Sequence, residues 1–187
     1  MDYFERKQLL KLARDTLKYH FKNKPIPPDV IPPNSKFQEK HGVFVTLQKE
    51  GKLRGCIGYI QPIKSLYEAV KENAFNAAFH DSRFTALKEE ELPKVEIEIS
   101  ILSVPEELKY KDSLELIRKL KPKVDGVILE KNGREATFLP QVWNEVLIPE
   151  DFLRQLSWKA GLAPDGWKSA KIFTYQAEVF KEVTIKK

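Results

Sequence analysis

Cysteine and histidine are scarce in this chain of 187 residues, which holds one cysteine, Cys56, and three histidines. A single cysteine cannot form an intrachain disulfide bond, so the sequence predicts a cytoplasmic protein in a reducing compartment. The histidines are scattered and lack the paired spacing of a structural zinc site. We therefore predict no metal-ligating residues of this type, although carboxylates could still bind Mg²⁺ or Mn²⁺. The sequence identifies no cofactor.

Long apolar runs are also missing from the sequence. No stretch approaches the roughly 20 apolar residues that cross a bilayer. The N-terminal residues follow a charged helical pattern instead of the apolar pattern of a signal peptide. Phosphate-binding loops and dinucleotide fingerprints are absent as well. The lack of a long apolar run and of a signal-peptide pattern predicts a protein without a membrane partner.

Neither sign of charge dominates the chain. Thirty-two Lys and Arg residues against 27 Asp and Glu residues give a formal net charge of +5. A basic excess is one feature of nucleic-acid-binding proteins, but here the charges are interspersed and form no long basic block, so the sequence does not favour nucleic acid as a partner. With 42% hydrophobic residues, residues 1–187 fit one domain, or two small lobes that share a core.

Residues 41–60, HGVFVTLQKEGKLRGCIGYI, predict a β-hairpin around which the rest of the chain is organised. Apolar residues alternate in both halves, which is typical of strands with one buried face. Residues 49–51 predict a three-residue loop that ends in a left-handed glycine, with Phe44 opposite Cys56. The face turned away from the core then carries Phe44, Thr46, Arg54, Cys56 and Gly58. Gly55 and Gly58 weaken the strand, which is tolerated best where another backbone or a ligand comes close.

Periodicity, capping residues and turn residues predict the other elements. In chain order these are a helix over 2–22, a helix from Ser65 to about His80, a strand over 95–103, a short helix over 113–120, a hairpin turning at Asn132-Gly133, a helix from Pro149 to Gly161 and a last strand over about 172–183. A proline-rich connector covers residues 23–37. The resulting fold class is α+β, a mostly antiparallel sheet with helices packed on it.

The order hairpin, helix, strand occurs twice, over about 41–103 and about 124–182. This recurrence predicts an internal duplication with two repeat-like lobes. We expect the lobes to flank a cleft. Its predicted lining residues are Arg54, Cys56, Asp81, Arg83 and Glu98.

Several motifs of the chain resemble the blocks of one known family. They are Leu53-Arg54-Gly55-Cys56-Ile57-Gly58, Asp81-Ser82-Arg83-Phe84, Glu98-Ile99-Ser100, Asp125-Gly126, Phe138-Leu139-Pro140-Gln141-Val142 and Lys159-Ala160-Gly161-Leu162. Together they span nearly the whole chain and are similar to those of the AMMECR domain family, in a microbial member. The resemblance implies a fold and a shortlist of residues, but no settled activity. It also implies Memo-type and radical-SAM proteins as partners.

Cys56 is the candidate catalytic residue, as a nucleophile or as a thiol that contacts a ligand. A nearby guanidinium group lowers the pKa of a thiol and favours the thiolate, and Arg54 lies on the same predicted face. The predicted ligand-binding residues are Arg54, Gly55, Gly58, Asp81, Arg83 and Glu98. In the alternative interpretation, Cys56 is a small buried residue in a tight strand.

Structural alternatives exist for the charged residues as well. An Asp81–Arg83 pair could form within its own loop, with Phe84 as the anchor. Glu96 and Glu98 lie on one strand face and could neutralise Arg54 or Arg83.

Two functional hypotheses remain open from the sequence. In the first, the protein is an enzyme or a small-ligand protein that uses the predicted cleft in a redox or modification pathway. In the second, it is a non-catalytic adaptor or a nucleic-acid-associated regulatory module in which the Leu53–Gly58 motif is structural.

Overall fold

The computed structural model describes residues 1–24 and 36–182. Residues 25–35, the larger part of the predicted connector over 23–37, lie outside the described residues. The chain divides into two compact units, of which the first comprises Met1–Leu102 and Glu178–Lys187 and the second comprises Ser103–Ala177.

The described residues form four α-helices and eight β-strands. The helices are α1 (Tyr3–Phe21), α2 (Leu66–Phe79), α3 (Ser113–Lys119) and α4 (Pro149–Lys159). The strands are β1 (Gly42–Lys49), β2 (Lys52–Tyr59), β3 (Val95–Leu102), β4 (Glu106–Glu107), β5 (Gly126–Lys131), β6 (Arg134–Phe138), β7 (Lys171–Tyr175) and β8 (Ala177–Lys181). Short 3₁₀ helices cover Lys36–Gln38, Glu89–Lys94, Pro140–Asn144 and Gly166–Ser169.

Each unit contains one four-stranded sheet. The order is β2-β1-β3-β8 in the first unit and β4-β7-β5-β6 in the second. The hairpins β1–β2 and β5–β6 are antiparallel, as are the pairs β1–β3 and β5–β7. The predicted α+β class with mostly antiparallel sheets is confirmed. In both sheets the first hairpin strand lies between its hairpin partner and a later strand, and the internal duplication stays a prediction.

Local sequence signals set the helix starts as predicted. The Asp2 carboxylate accepts the backbone N–H of Glu5 at 2.8 Å and the Ser65 hydroxyl accepts that of Glu68 at 3.3 Å, so each helix begins with a capping box. Helices α1 and α2 then contribute to one core with the sheet of the first unit. The fully buried residues of this core include Leu9, Ala13, Leu17, Val43, Val45, Leu47, Ile97 and Ile99.

The register of the β1–β2 hairpin differs from the prediction. Lys49 pairs with Lys52, so the turn has two residues, both with positive φ. Beyond a bulge at Arg54, Thr46 lies opposite Cys56, and Phe44 lies opposite Gly58 instead of opposite Cys56. The predicted three-residue loop was therefore wrong. Because the register of Phe44 and Thr46 moved by two residues, these side chains still share one face with Cys56 and Gly58.

The predicted last strand over about 172–183 was wrong as a single strand. It consists of β7 and β8, which belong to different sheets. Gln176 is the single residue between the two strands. Its backbone N–H donates to the Ser103 hydroxyl, and its carbonyl oxygen accepts the Ser103 backbone N–H, both at 2.9 Å. Alternation along a strand shows which residues share a face, but not which neighbouring strand pairs with it.

Gly55 lies where helix α2 comes closest to strand β2. A Cβ atom on Gly55 would lie 2.1 Å from the carbonyl oxygen of Ala77. That oxygen belongs to the helix backbone and cannot rotate away as a side chain can. The close approach of another backbone, which the glycine predicts, is therefore present, on the core side of the strand.

We expect Gly55→Ala to lower the free energy of unfolding by about 3 kcal/mol, because the methyl group forces α2 and β2 apart. The measurement is urea denaturation followed by circular dichroism. Gly51→Asn is the control, since a Cβ atom at Gly51 meets nothing within 4 Å and asparagine is one of the few residues with a side chain that adopt positive φ. Equal unfolding midpoints for Gly55→Ala and the unmodified protein would contradict this explanation.

Candidate functional site

Cys56 lies in β2, at the edge of its sheet. Its backbone N–H donates to Asp81 Oδ2 at 2.9 Å and its carbonyl oxygen accepts a hydrogen bond from Arg83 Nη2 at 3.1 Å. The loop that follows α2 thus binds both backbone groups that face away from β1. An edge strand normally leaves such groups to water or to another chain. At Cys56 the Asp81 and Arg83 side chains replace a neighbouring strand.

The same geometry brings the thiol close to Thr46. Because the backbone groups of Cys56 point away from β1, Thr46 and Cys56 form a non-hydrogen-bonded pair, in which facing side chains are closer together. The Thr46 hydroxyl donates to Cys56 Sγ at 3.1 Å. Thr46 is buried, whereas Cys56 is partly exposed. A hydroxyl donor at this distance stabilises a thiolate more than a thiol.

Asp81 and Arg83 form a forked ion pair within their own loop. Arg83 Nε donates to Asp81 Oδ1 at 2.9 Å and Nη2 donates to Oδ2 at 2.7 Å. These hydrogen bonds lower the pKa of Asp81 to about 2 and raise the pKa of Arg83. The Asp81 side chain is 3% exposed and that of Arg83 is 55% exposed. The predicted pair between Asp81 and Arg83 is confirmed. Solvent reaches the Arg83 side chain of this pair, whereas the Asp81 carboxylate is buried.

The carboxylate that pairs with Arg54 is Glu91, a residue that was not predicted from the sequence. Arg54 Nη2 lies 2.9 Å from Glu91 Oε2 and Nε lies 3.2 Å from Oε1, which Lys49 also contacts at 2.9 Å. The hydrogen bonds from Arg54 hold the pKa of Glu91 well below its usual range. Glu91 is the third of three consecutive glutamates in a 3₁₀ helix. Only its position around the helix axis distinguishes it from Glu89 and Glu90.

Arg54 and Arg83 pair with Glu91 and Asp81 instead of with Glu96. Glu96 lies 3.9 Å from Lys181 instead. Glu98 faces Thr46 across β1–β3, and Thr46 faces Cys56 across β1–β2. Since neighbouring strands are about 4.8 Å apart, the backbones of Glu98 and Cys56 are separated by about 10 Å.

The ring of Phe84 connects the two arginines. The guanidinium carbon of Arg54 lies 6.0 Å from the ring centroid and that of Arg83 lies 5.5 Å from it. Both distances permit a cation–π attraction. The structure therefore brings Cys56, Asp81 and Arg83 into direct contact and joins Arg54 to them through this ring.

The two glycines of the motif have packing roles. Gly55 accommodates the backbone of α2. A Cβ atom on Gly58 would lie 2.3 Å from the carbonyl oxygen of Val43 and 2.4 Å from the Phe44 ring. Binding of a ligand by these glycines stays a prediction.

The histidines have contacts of their own. His80 Nδ1 lies 3.0 Å from Asn76 Oδ1 and His41 Nε2 lies 3.5 Å from Glu39 Oε2. Within residues 1–24 and 36–182, no group of three or more His, Cys, Asp or Glu residues could hold a metal ion. In the same part of the chain, no helix combines the length and apolar character needed to cross a membrane.

Comparison with known proteins gives a consistent result. A sequence model of the AMMECR1 family matches residues 10–180. A protein of Methanothermobacter thermautotrophicus is 38% identical over 184 residues, which cover 95% of this chain and 94% of the relative. A protein of Thermococcus onnurineus is 40% identical over 188 residues, which cover 93% of this chain and 88% of the relative.

A solved structure agrees with the fold. The crystal structure of the uncharacterized protein PH0010 from Pyrococcus horikoshii has a TM-score of 0.84 and 39% sequence identity to this chain. The matched region covers 93% of this chain and 89% of the PH0010 chain. The chain is thus an α+β protein built from two antiparallel four-stranded sheets. It belongs to the AMMECR1 family, as the six-residue motif around Cys56 indicates.

We expect Asp81→Asn to destabilise the protein by about 2 kcal/mol at pH 6, because the pKa of Asp81 is about 2 in the folded protein against an ordinary 3.8. A lowered pKa stabilises the fold above pH 3.8, and this contribution is lost as the pH falls towards 2. The difference between the two proteins should shrink over that window in urea denaturation.

Asp151→Asn is the matched control. Asp151 also pairs with an arginine, Arg154, at 3.0 Å, but both side chains are at least 40% exposed. Exposed pairs contribute roughly 0–1 kcal/mol. A pH-independent difference between Asp81→Asn and the unmodified protein would contradict the role of the Asp81 charge.

Proposed function

We propose that the protein binds a small ligand or substrate at the Leu53–Gly58 motif and that Cys56 is its nucleophile. The observation that carries this proposal is the environment of the thiol. Cys56 is partly exposed, and its sulfur accepts a hydrogen bond from the Thr46 hydroxyl. Its backbone N–H and carbonyl groups are hydrogen-bonded to the side chains of Asp81 and Arg83.

A fixed nucleophile loses less freedom when it reacts. Asp81 and Arg83 hold the backbone of Cys56 from one side, and β1 holds the strand from the other. Positioning of this kind lowers the entropic part of an activation barrier. It supports a reactive role for a residue that would otherwise be a small side chain in an edge strand.

The charges beside the thiol favour its anionic form. Arg83 is always protonated, and besides its hydrogen bonds to Asp81 it has an electrostatic attraction to Cys56. The Thr46 hydroxyl donor acts in the same direction. The proposed chemistry is attack of the thiolate on an electrophilic carbon atom of the ligand, in which the sulfur–carbon bond forms while the leaving group departs with the electron pair of its bond to that carbon. The thiol proton is released to solvent.

The wider setting of this chemistry follows from the family resemblance alone. It suggests a redox or modification pathway with Memo-type and radical-SAM partners. The cytoplasmic location, the internal repeat and the cleft between the two lobes stay predictions. The adaptor hypothesis treats the same motif as structural, and it becomes the better description if Cys56 proves unreactive.

We expect Cys56 to react with iodoacetamide in the folded protein, and to do so at pH 7 faster than in urea, because Thr46 and Arg83 stabilise the thiolate. The rate across pH, followed by mass spectrometry, measures this. Thr46→Val should slow the reaction roughly fivefold at pH 7 by removing one hydrogen bond to the sulfur.

The exposed threonine of the same loop supplies a control, since Thr85→Val should leave the rate unchanged. Cys56→Ser should abolish labelling, because this chain has no other cysteine. Labelling that requires unfolding in the unmodified protein would overturn the nucleophile proposal.

A further inference from the structure

We infer that the substrate of this site carries an oxyanion, a carboxylate or phosphate group, which binds to Arg83 with Arg54 behind it. The inference rests on the proposed function of Cys56 and adds the class of substrate. It is carried by the arrangement of the two guanidinium groups around Phe84.

Arg83 combines exposure with a fixed orientation. Its described hydrogen bonds use Nε and Nη2, which bind Asp81 and the carbonyl of Cys56. Nη1 takes part in none of them. Because the Asp81 side chain is 3% exposed and the Arg83 side chain is 55% exposed, an incoming ligand meets the guanidinium group and not its carboxylate partner.

Arg54 repeats this pattern in a more buried position. Glu91 binds its Nε and Nη2, and the side chain is 12% exposed. Its Nη1 is buried and has no hydrogen-bond partner in the described part of the chain. A buried donor without a partner is costly. Because this atom is shielded from solvent, Arg54 would act on an anion at Arg83 through its charge and not by a direct hydrogen bond.

The three cations and three carboxylates of the site balance, so an attraction for an anion comes from the exposure of Arg83 and not from an excess of positive charge. Lys49, Arg54 and Arg83 are hydrogen-bonded to two carboxylates, Glu91 and Asp81. The opposing group is Glu98, which lies in the same row of the sheet as Cys56 and Thr46. An anion at Arg83 is therefore attracted by the exposed guanidinium group, whose carboxylate partner is buried, and repelled by Glu98.

Two chemical properties then select an oxyanion. Arginine presents planar N–H donors that match the oxygens of carboxylate and phosphate groups. Arg83 also contacts the backbone of Cys56 directly, so a group bound to Arg83 holds the adjoining part of the substrate beside the thiol. The anionic group would orient the substrate, and the thiolate would attack a neighbouring carbon atom.

Two alkylating reagents that differ in charge test this inference. Iodoacetate carries a carboxylate and iodoacetamide is its neutral counterpart. In both reactions the thiolate sulfur forms a bond to the methylene carbon and iodide leaves with the electron pair. We expect the ratio of the iodoacetate rate to the iodoacetamide rate to be roughly fivefold higher at Cys56 in the folded protein than in urea.

Variants and salt assign the effect to Arg83. Arg83→Gln should return the rate ratio to the value measured in urea, whereas Arg118→Gln, which removes an exposed arginine of the second unit, should leave it unchanged. Glu98→Gln should raise it. Added NaCl should lower the ratio in the unmodified protein, because salt screens the attraction of the anion, and this measurement does not depend on the folding of any variant.

The outcomes separate the inference from the proposed function. If iodoacetamide labels Cys56 in the folded protein but the ratio of the two rates equals the ratio in urea, the oxyanion inference is overturned and Cys56 remains a nucleophile. Failure of both reagents in the folded protein would overturn both proposals. Protection of Cys56 from iodoacetamide by inorganic phosphate but not by acetate would assign the site to phosphate, and the reverse would assign it to carboxylate.

Discussion

The hydrogen bonds between the backbone of Cys56 and the Asp81–Arg83 pair are the constraint on which the rest of the site depends. They require the end of α2 to lie beside β2, and Gly55 makes this possible because a side chain there would collide with the helix backbone. They also turn the Cys56 backbone away from β1, which brings the thiol and the Thr46 hydroxyl together. Helix packing, strand geometry and thiol environment therefore depend on one another.

Local signals predicted much of the fold. Capping boxes at Asp2 and Ser65 and the turn at Asn132-Gly133 act over a few residues, so the sequence contains the whole interaction. Phe44, Thr46, Cys56 and Gly58 share the outer face of the hairpin as predicted, because alternation survives a register change of two residues. The register itself was not, since the bulge at Arg54 adds a residue that alternation does not reveal.

Interactions between distant residues were harder to predict. The pairing of Asp81 with Arg83 spans two residues and was anticipated as an alternative, whereas the pairing of Arg54 with Glu91 spans 37 residues and was missed. Choosing among the three glutamates of residues 89–91 requires the phase of a 3₁₀ helix and its position beside β2. The division of the last strand between two sheets is equally non-local, because each half is defined by its neighbours.

The Asp81–Arg83 pair has a further consequence for the behaviour of the protein in concentrated solution. Strand β2 is the edge of its sheet, and an exposed edge can recruit a strand from another molecule and begin aggregation. At Cys56, however, the N–H and carbonyl groups that such a strand would need are occupied by side chains of the same chain. The loop that holds the Cys56 backbone thus also protects this position of the sheet edge against edge-to-edge association.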